Sequence, residues 1–162
     1  MSTTTTSTIR PAESPPALQV TIRLAHDALR AEHGYRIDSA YVEAFWLSHL
    51  GPSAVCVLRL IARTAEPDGI TVPLPALGAA CGIPGSGAKH SVIGRTLDRL
   101  VRYSAAQWVG DGRTSLRVWS HLGPVPLSLR QKWPDLYIVS IESDVGLHQF
   151  HNSPVLWQLD QG

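Results

Sequence analysis

A chain of 162 residues with 44% hydrophobic side chains is long enough for one domain of ordinary size with a real core and tails. It contains no apolar run near the roughly 20 residues that span a bilayer, and two cysteines, Cys56 and Cys81, do not make a disulfide scaffold or a zinc finger. The formal net charge of +1 conceals an uneven distribution: residues 1–85 carry six positive and seven negative charges, residues 86–121 six and two, and residues 122–162 two and four.

In chain order, residues 1–17 are Ser/Thr-rich and proline-punctuated, with almost nothing to bury, and are expected to form a disordered tail. The start has neither a basic run nor an apolar core, so no secretory signal is expected there. Both cysteines lie among apolar or small residues, as buried free thiols do, and a reducing cytoplasm is their natural setting. Residues 18–34 carry two signals. Leu18, Val20, Ile22 and Leu24 alternate, whereas Leu24, Ala25, Ala28, Leu29 and Ala31 recur at helical spacing. A helix from about Val20 to His33, stopped by Gly34, is the expectation, against the β-branched cluster Val20-Thr21-Ile22. This makes residues 18–51 an N-terminal helical extension.

Residues 39–50 form a clearer helix, capped by Asp38 or Ser39, with Val42, Phe45, Trp46 and His49 as one apolar stripe and Gly51-Pro52 as its end. The next helix, 53–66, buries Ala54, Val57, Leu58, Ile61, Ala62 and Ala65 and leaves Arg59 and Arg63 on its surface. A turn at Glu66-Pro67-Asp68-Gly69 leads to the short strand Ile70-Thr71-Val72, placed to pair with the later hairpin. A helix over 74–82 follows, with Leu74, Leu77 and Ala80 or Cys81 inward.

The most informative stretch is Lys89 to Arg117. Wound at 3.6 residues per turn, Ile93, Leu97, Leu100 and Val101 fall on one face, and Arg95, Arg99 and Arg102 on the other. Strands 106–109 and 116–119 then flank the turn Gly110-Asp111-Gly112-Arg113, with Trp108 and Trp119 expected to pack across the strands in the core. Gly123-Pro124-Val125-Pro126 is a stiff connector, Leu127 to Trp133 a short helix, and the apolar residues among 134–162 suggest a segment that packs on the domain or on a second copy.

Helix, short strand, helix, helix, then a hairpin over residues 52–122 resembles the winged helix-turn-helix family, an α+β fold that is mainly helical with a small hairpin. The lead-in Phe45-Trp46-Leu47-Ser48-His49-Leu50-Gly51-Pro52 is similar to that of uncharacterised actinobacterial proteins of this type. The resemblance implies a recognition helix at about 89–104 in the major groove of double-stranded DNA, and a wing at 106–119 on the backbone or minor groove. Ser91, Val92 and Arg95, near the helix start, are the candidates for base contact. Lys89, His90, Arg99 and Arg102 lie nearer the backbone, Arg113 marks the wing tip, and Arg117 flanks it. The charge excess confined to 86–121 agrees with a polyanion surface; the plain alternative is a solvated basic face.

Other chemistries fit less well. Gly82-Ile83-Pro84-Gly85-Ser86-Gly87-Ala88-Lys89 resembles a phosphate-binding P-loop, but its lysine falls one residue late, precedes His90 rather than Ser or Thr, and follows a helix. His148 and His151 lack the further ligands of a metal site. No local motif groups a nucleophile with a base, so an enzyme, a cofactor and a metal are not expected. The resulting expectation is a cytoplasmic DNA-binding transcriptional regulator acting as a homodimer, with no membrane partner. A protein-interaction module using residues 123–162 is the alternative.

Overall fold

The computed structural model describes residues 18–66, 68–83, 85 and 91–130 of the chain. At its N-terminal end alternation prevails over helical spacing. Val20 and Ile22 are buried while Gln19 and Arg23 are exposed, and Gln19–Ala25 is strand β1 rather than the first turns of a helix reaching His33. The reason is a partner on each side: β1 pairs antiparallel with β3 (Ile70–Pro73) and parallel with β5 (Ser115–Trp119). Strand β4 (Ala106–Trp108) completes a four-stranded sheet of order β3-β1-β5-β4. The short strand over 70–73 therefore does not lie against the hairpin as expected; β1 separates them.

Only the end of the expected first helix is helical. Asp27 accepts the Arg30 backbone N–H at 2.9 Å and caps α1 (Ala28–His33), none of whose residues is buried. Gly34 follows α1 for a reason of space, since a Cβ there would lie 2.3 Å from the Arg30 carbonyl oxygen and 2.7 Å from that of Leu122. Strand β2 (Tyr35–Arg36) then pairs with β6 (His121–Leu122).

A π-helical turn at Val42–Trp46 runs into α2 (Leu47–Leu50). It buries Val42, Phe45 and Trp46, the foreseen stripe, with His49 half-buried beside it. Tyr35 stacks on Tyr41 at 3.5 Å between ring centroids, and Tyr41 on Phe45 at 4.6 Å. The Tyr41 hydroxyl accepts the Val125 N–H, and the Trp46 indole donates to the Gly123 carbonyl, so the proline-rich connector is fastened to this turn. Gly51 adopts φ 78°, a conformation glycine supplies cheaply, and Pro52 opens α3 (Pro52–Thr64). Helix α3 buries Ala54, Val55, Val57, Leu58 and Ile61; Arg59 pairs with Glu43. Cys56 is exposed and Cys81 half-buried, so neither is the fully buried thiol expected. Burial holds the Cys81 thiol protonated, its pKa pushed up to about 12 with the neighbouring Cys56 adding to the shift.

Helix α4 (Leu74–Ala80) turns Leu74, Leu77 and Gly78 inward; Ala80 is exposed. Helix α5 (Val92–Arg102) buries Ile93, Leu97 and Leu100. Helix α6 (Leu127–Arg130) ends the described residues, which include no helix long and apolar enough to cross a membrane.

The result is an α+β fold with one hydrophobic cluster running from Val20 to Val125. Residues 18–51 share this core with residues 52–122 and are not a separate helical extension: Val20 and Ile22 of β1 lie in it with Leu116 and Val118 of β5. Each such aliphatic side chain taken fully out of water stabilises the fold by about 1.5–3 kcal/mol. The expected N-terminal tail 1–17, the glycine linker 86–88 and the segment 131–162 lie outside the described residues.

Candidate nucleic-acid interface

Helix α5 is positioned from both ends and from beneath. At its start the Ser91 hydroxyl accepts the Gly94 N–H at 3.2 Å, and the backbone at Ser91 is extended, as a helix cap requires. Beneath it, Gly78 lets α4 come close: a Cβ there would lie 3.0 Å from the Ile83 carbonyl oxygen and 3.6 Å from Ile93 Cβ. Near its end, the Arg99 guanidinium donates to the Leu50 carbonyl at 3.3 Å, and Gly51 leaves the space it passes through.

With Ile93, Leu97 and Leu100 inward, Val92, Arg95, Arg99 and Arg102 form one exposed stripe. The helical phase thus places the three arginines together, as their spacing in the sequence predicts, and Val92 joins them. Val92 is 42% exposed, unusual for a branched aliphatic residue in a helix that buries so much. Ser91 is half-buried and already engaged as the cap. Lys89 and His90 lie outside the described residues.

The hairpin differs from expectation. Arg113 does not reach out from the turn. Its backbone takes φ 52°, rare for a residue with a side chain, and its guanidinium turns back to Asp98 of α5 at 2.9 Å. The other oxygen of Asp98 accepts the Trp108 indole N–H at 3.1 Å. One carboxylate thus ties strand β4 and the turn to α5 and neutralises the cation expected to mark the tip.

Arg117 is separated from the α5 stripe altogether. Leu116 and Val118 point into the core that α5 covers, so Arg117 and Trp119 point out of the opposite face of the sheet. Trp108 and Trp119 are not cross-strand partners. Trp108 stands opposite Leu116 on the inner side, and Trp119 lies outside with the guanidinium groups of Arg30 and Arg117 at 4.7 and 5.9 Å from its ring.

Sequence reasoning passed over Asp98, whose role depends on a strand and a turn it meets only in the fold. It also passed over Arg23 and Arg30, which join Arg117 and Trp119 on the outer sheet face. The alternation of Val20 and Ile22 was the signal that could have placed Arg23. Among the described residues no group of three His, Cys, Asp or Glu side chains could hold a metal ion. Comparison with protein-family models, with curated proteins and with solved structures gives no match to the chain.

Proposed function

We propose that the chain is a DNA-binding protein of winged-helix type, a cytoplasmic transcriptional regulator that lays α5 in the major groove of duplex DNA. The observation that carries this reading is the exposed stripe Val92, Arg95, Arg99 and Arg102 on a helix otherwise packed into the core. At 1.5 Å per residue Arg95 to Arg102 covers about 10 Å of axis, which suits a groove about 12 Å wide. An arginine fork matches guanine O6 and N7 or clamps a phosphate. Val92 offers methyl groups to a thymine methyl.

The geometry also supports a division of labour within the site. Arg95 carries no competing bond to the protein among the described residues and is the base-reading arginine. Arg99, held by the Leu50 carbonyl, and Arg102, one turn further from the helix start, are backbone anchors. Hairpin β4–β5 acts mainly as a brace on α5 through Asp98. A homodimer on paired half-sites is the expected assembly.

The test is capture of genomic fragments by the wild-type protein at controlled salt, repeated with Arg95→Ala/Arg99→Ala. Loss of two phosphate or base contacts should weaken duplex binding by tenfold or more and reduce the log–log salt slope by about 1.8, at about 0.9 per contact. Unchanged affinity for the captured fragments refutes the recognition-helix reading.

A further inference from the structure

The outer face of the four-stranded sheet holds a second group of cations, on the side away from α5. Arg23 of β1 stands directly beside Arg117 of β5, and Gln107 of β4 stands on the other side of Arg117. One register step away, Thr71, Thr21 and Ser115 align across β3, β1 and β5, with the two threonine hydroxyls bonded at 2.8 Å. None of these outward residues is acidic. Among the described residues, no ion pair involves Arg23 or Arg117. Like charges directly opposite on neighbouring strands destabilise a sheet. A sheet that keeps two arginines side by side without a carboxylate gains stability when an anion lies between them.

The surroundings narrow the kind of anion. Arg23 runs its aliphatic stem against Gly69, where a Cβ would come within 2.5 Å of Arg23 Cγ, so glycine there lets the stem lie close beside the end of β3. Gln19, Thr21, Arg23, Thr71, Thr114 and Ser115 line a shallow open depression there. Two residues beyond Arg117, on the same face, Trp119 has the Arg30 guanidinium over its ring at 4.7 Å and that of Arg117 further off at 5.9 Å. Hydroxyls and guanidinium groups about 5 Å apart across strands and about 7 Å apart along them suit a chain of phosphates. An aromatic ring beside them suits a base.

We propose that this face binds a single strand of nucleic acid, with its phosphodiester backbone across Arg23 and Arg117 and a base taking the place of Arg117 at the Trp119 ring as that guanidinium turns to a phosphate. A duplex is the poorer fit. Its phosphates lie on a convex surface that meets an open sheet face along one line, and its paired bases cannot reach Trp119. A single strand lies flat on a sheet and offers a π-face with every base. The site is independent of α5, so the chain has two nucleic-acid faces on opposite sides of one sheet.

The probe is a fluorescein-labelled oligo(dT) of about 15 nucleotides, within the site sizes usual for single-strand binders, followed by anisotropy at low salt. Wild type should bind it and quench tryptophan emission. Arg23→Gln/Arg117→Gln should weaken binding about tenfold and reduce the magnitude of the salt slope by about 1.4, at about 0.7 per phosphate. Trp119→Leu should remove most of the quenching, whereas Arg95→Ala/Arg99→Ala should leave oligo(dT) binding intact. A second measurement needs no variant: unlabelled duplex DNA should fail to displace oligo(dT), because the faces are separate. The proposal is overturned if wild type does not bind oligo(dT), if the Arg23/Arg117 variant binds with an unchanged slope, if the α5 variant loses binding, or if duplex or millimolar inorganic phosphate displaces the oligonucleotide fully.

Discussion

The Asp98 clamp makes a prediction in which stability and binding move in opposite directions. Asp98→Ala deletes the acceptor for the Trp108 indole and the partner of Arg113 at one stroke. The Asp98 and Arg113 side chains are 36% and 39% exposed, so solvent screens their ion pair, and its contribution is about 0.5 kcal/mol. The part-buried indole bond to a carboxylate contributes about 1 kcal/mol more. Asp98→Ala should therefore cost about 1.5 kcal/mol in urea unfolding at an unchanged m-value. Asp98→Asn keeps an acceptor for Trp108, loses only the charge, and should cost about 0.5 kcal/mol. The left-handed backbone at Arg113 costs about 1 kcal/mol for any residue with a Cβ, so Arg113→Gly, which relieves it while losing the ion pair, should be close to neutral. Under the DNA-binding reading, either change at Asp98 also frees the Arg113 guanidinium near α5 and should strengthen duplex binding several-fold at low salt, with the gain fading as salt rises. Equal costs for the alanine and asparagine variants would show that the indole bond contributes nothing. A loss below about 0.3 kcal/mol for Asp98→Ala would remove the clamp from the account entirely.

Gly78 and Cys81 supply two further checks. Gly78→Val should destabilise by about 2–3 kcal/mol, because its methyl groups meet the Ile83 carbonyl and Ile93 with no room to yield. Gly78→Ala should stay within about 1 kcal/mol of wild type, its tight 3.0 Å approach offset by better helix propensity; similar costs for the two in urea unfolding would show that α4 and α5 are not in close contact there. Iodoacetamide near neutral pH should alkylate exposed Cys56 well before Cys81, whose thiol stays protonated up to about 12, as read by peptide mass spectrometry. Because the raised pKa keeps a proton on the folded state that the unfolded state releases, Cys81 should also make the fold less stable as pH climbs from about 9 towards 12; Cys81→Ser should flatten that decline, and equal alkylation rates would contradict the burial.

Helices α3, α4 and α5 were legible because each carries a complete local message: a cap or Pro-Gly boundary, a helical stripe, and a stop. Strand β1 was not, since Val20-Thr21-Ile22 and Leu24 to Ala31 send opposite messages over neighbouring residues. What decides between them is distant: Ile22 stands beside Ile70 on one side and Leu116 on the other. Leu29, which strengthened the helical pattern, is 71% exposed in the fold. The same limit governs the site. Arg95, Arg99 and Arg102 share a face by helical phase alone, so the sequence could place them together. Arg113 needed Asp98, fifteen residues away on another element, and the outward parity of Arg117 is fixed by its neighbours in the sheet.

Charge follows the same logic. By segment, the positive excess sits in residues 86–121 and the preceding stretch is slightly negative. In the fold, Arg23 and Arg30 of that negative stretch stand with Arg117 on the outer sheet face, while Asp98 cancels Arg113 beside α5. A polyanion meets a face rather than a segment, and the two countings differ here because β1 enters between β3 and β5. Insertion of that one strand turns a single basic region of the sequence into two cationic surfaces. Each has its own geometry: one is an exposed edge of a helix, the other the open face of a sheet.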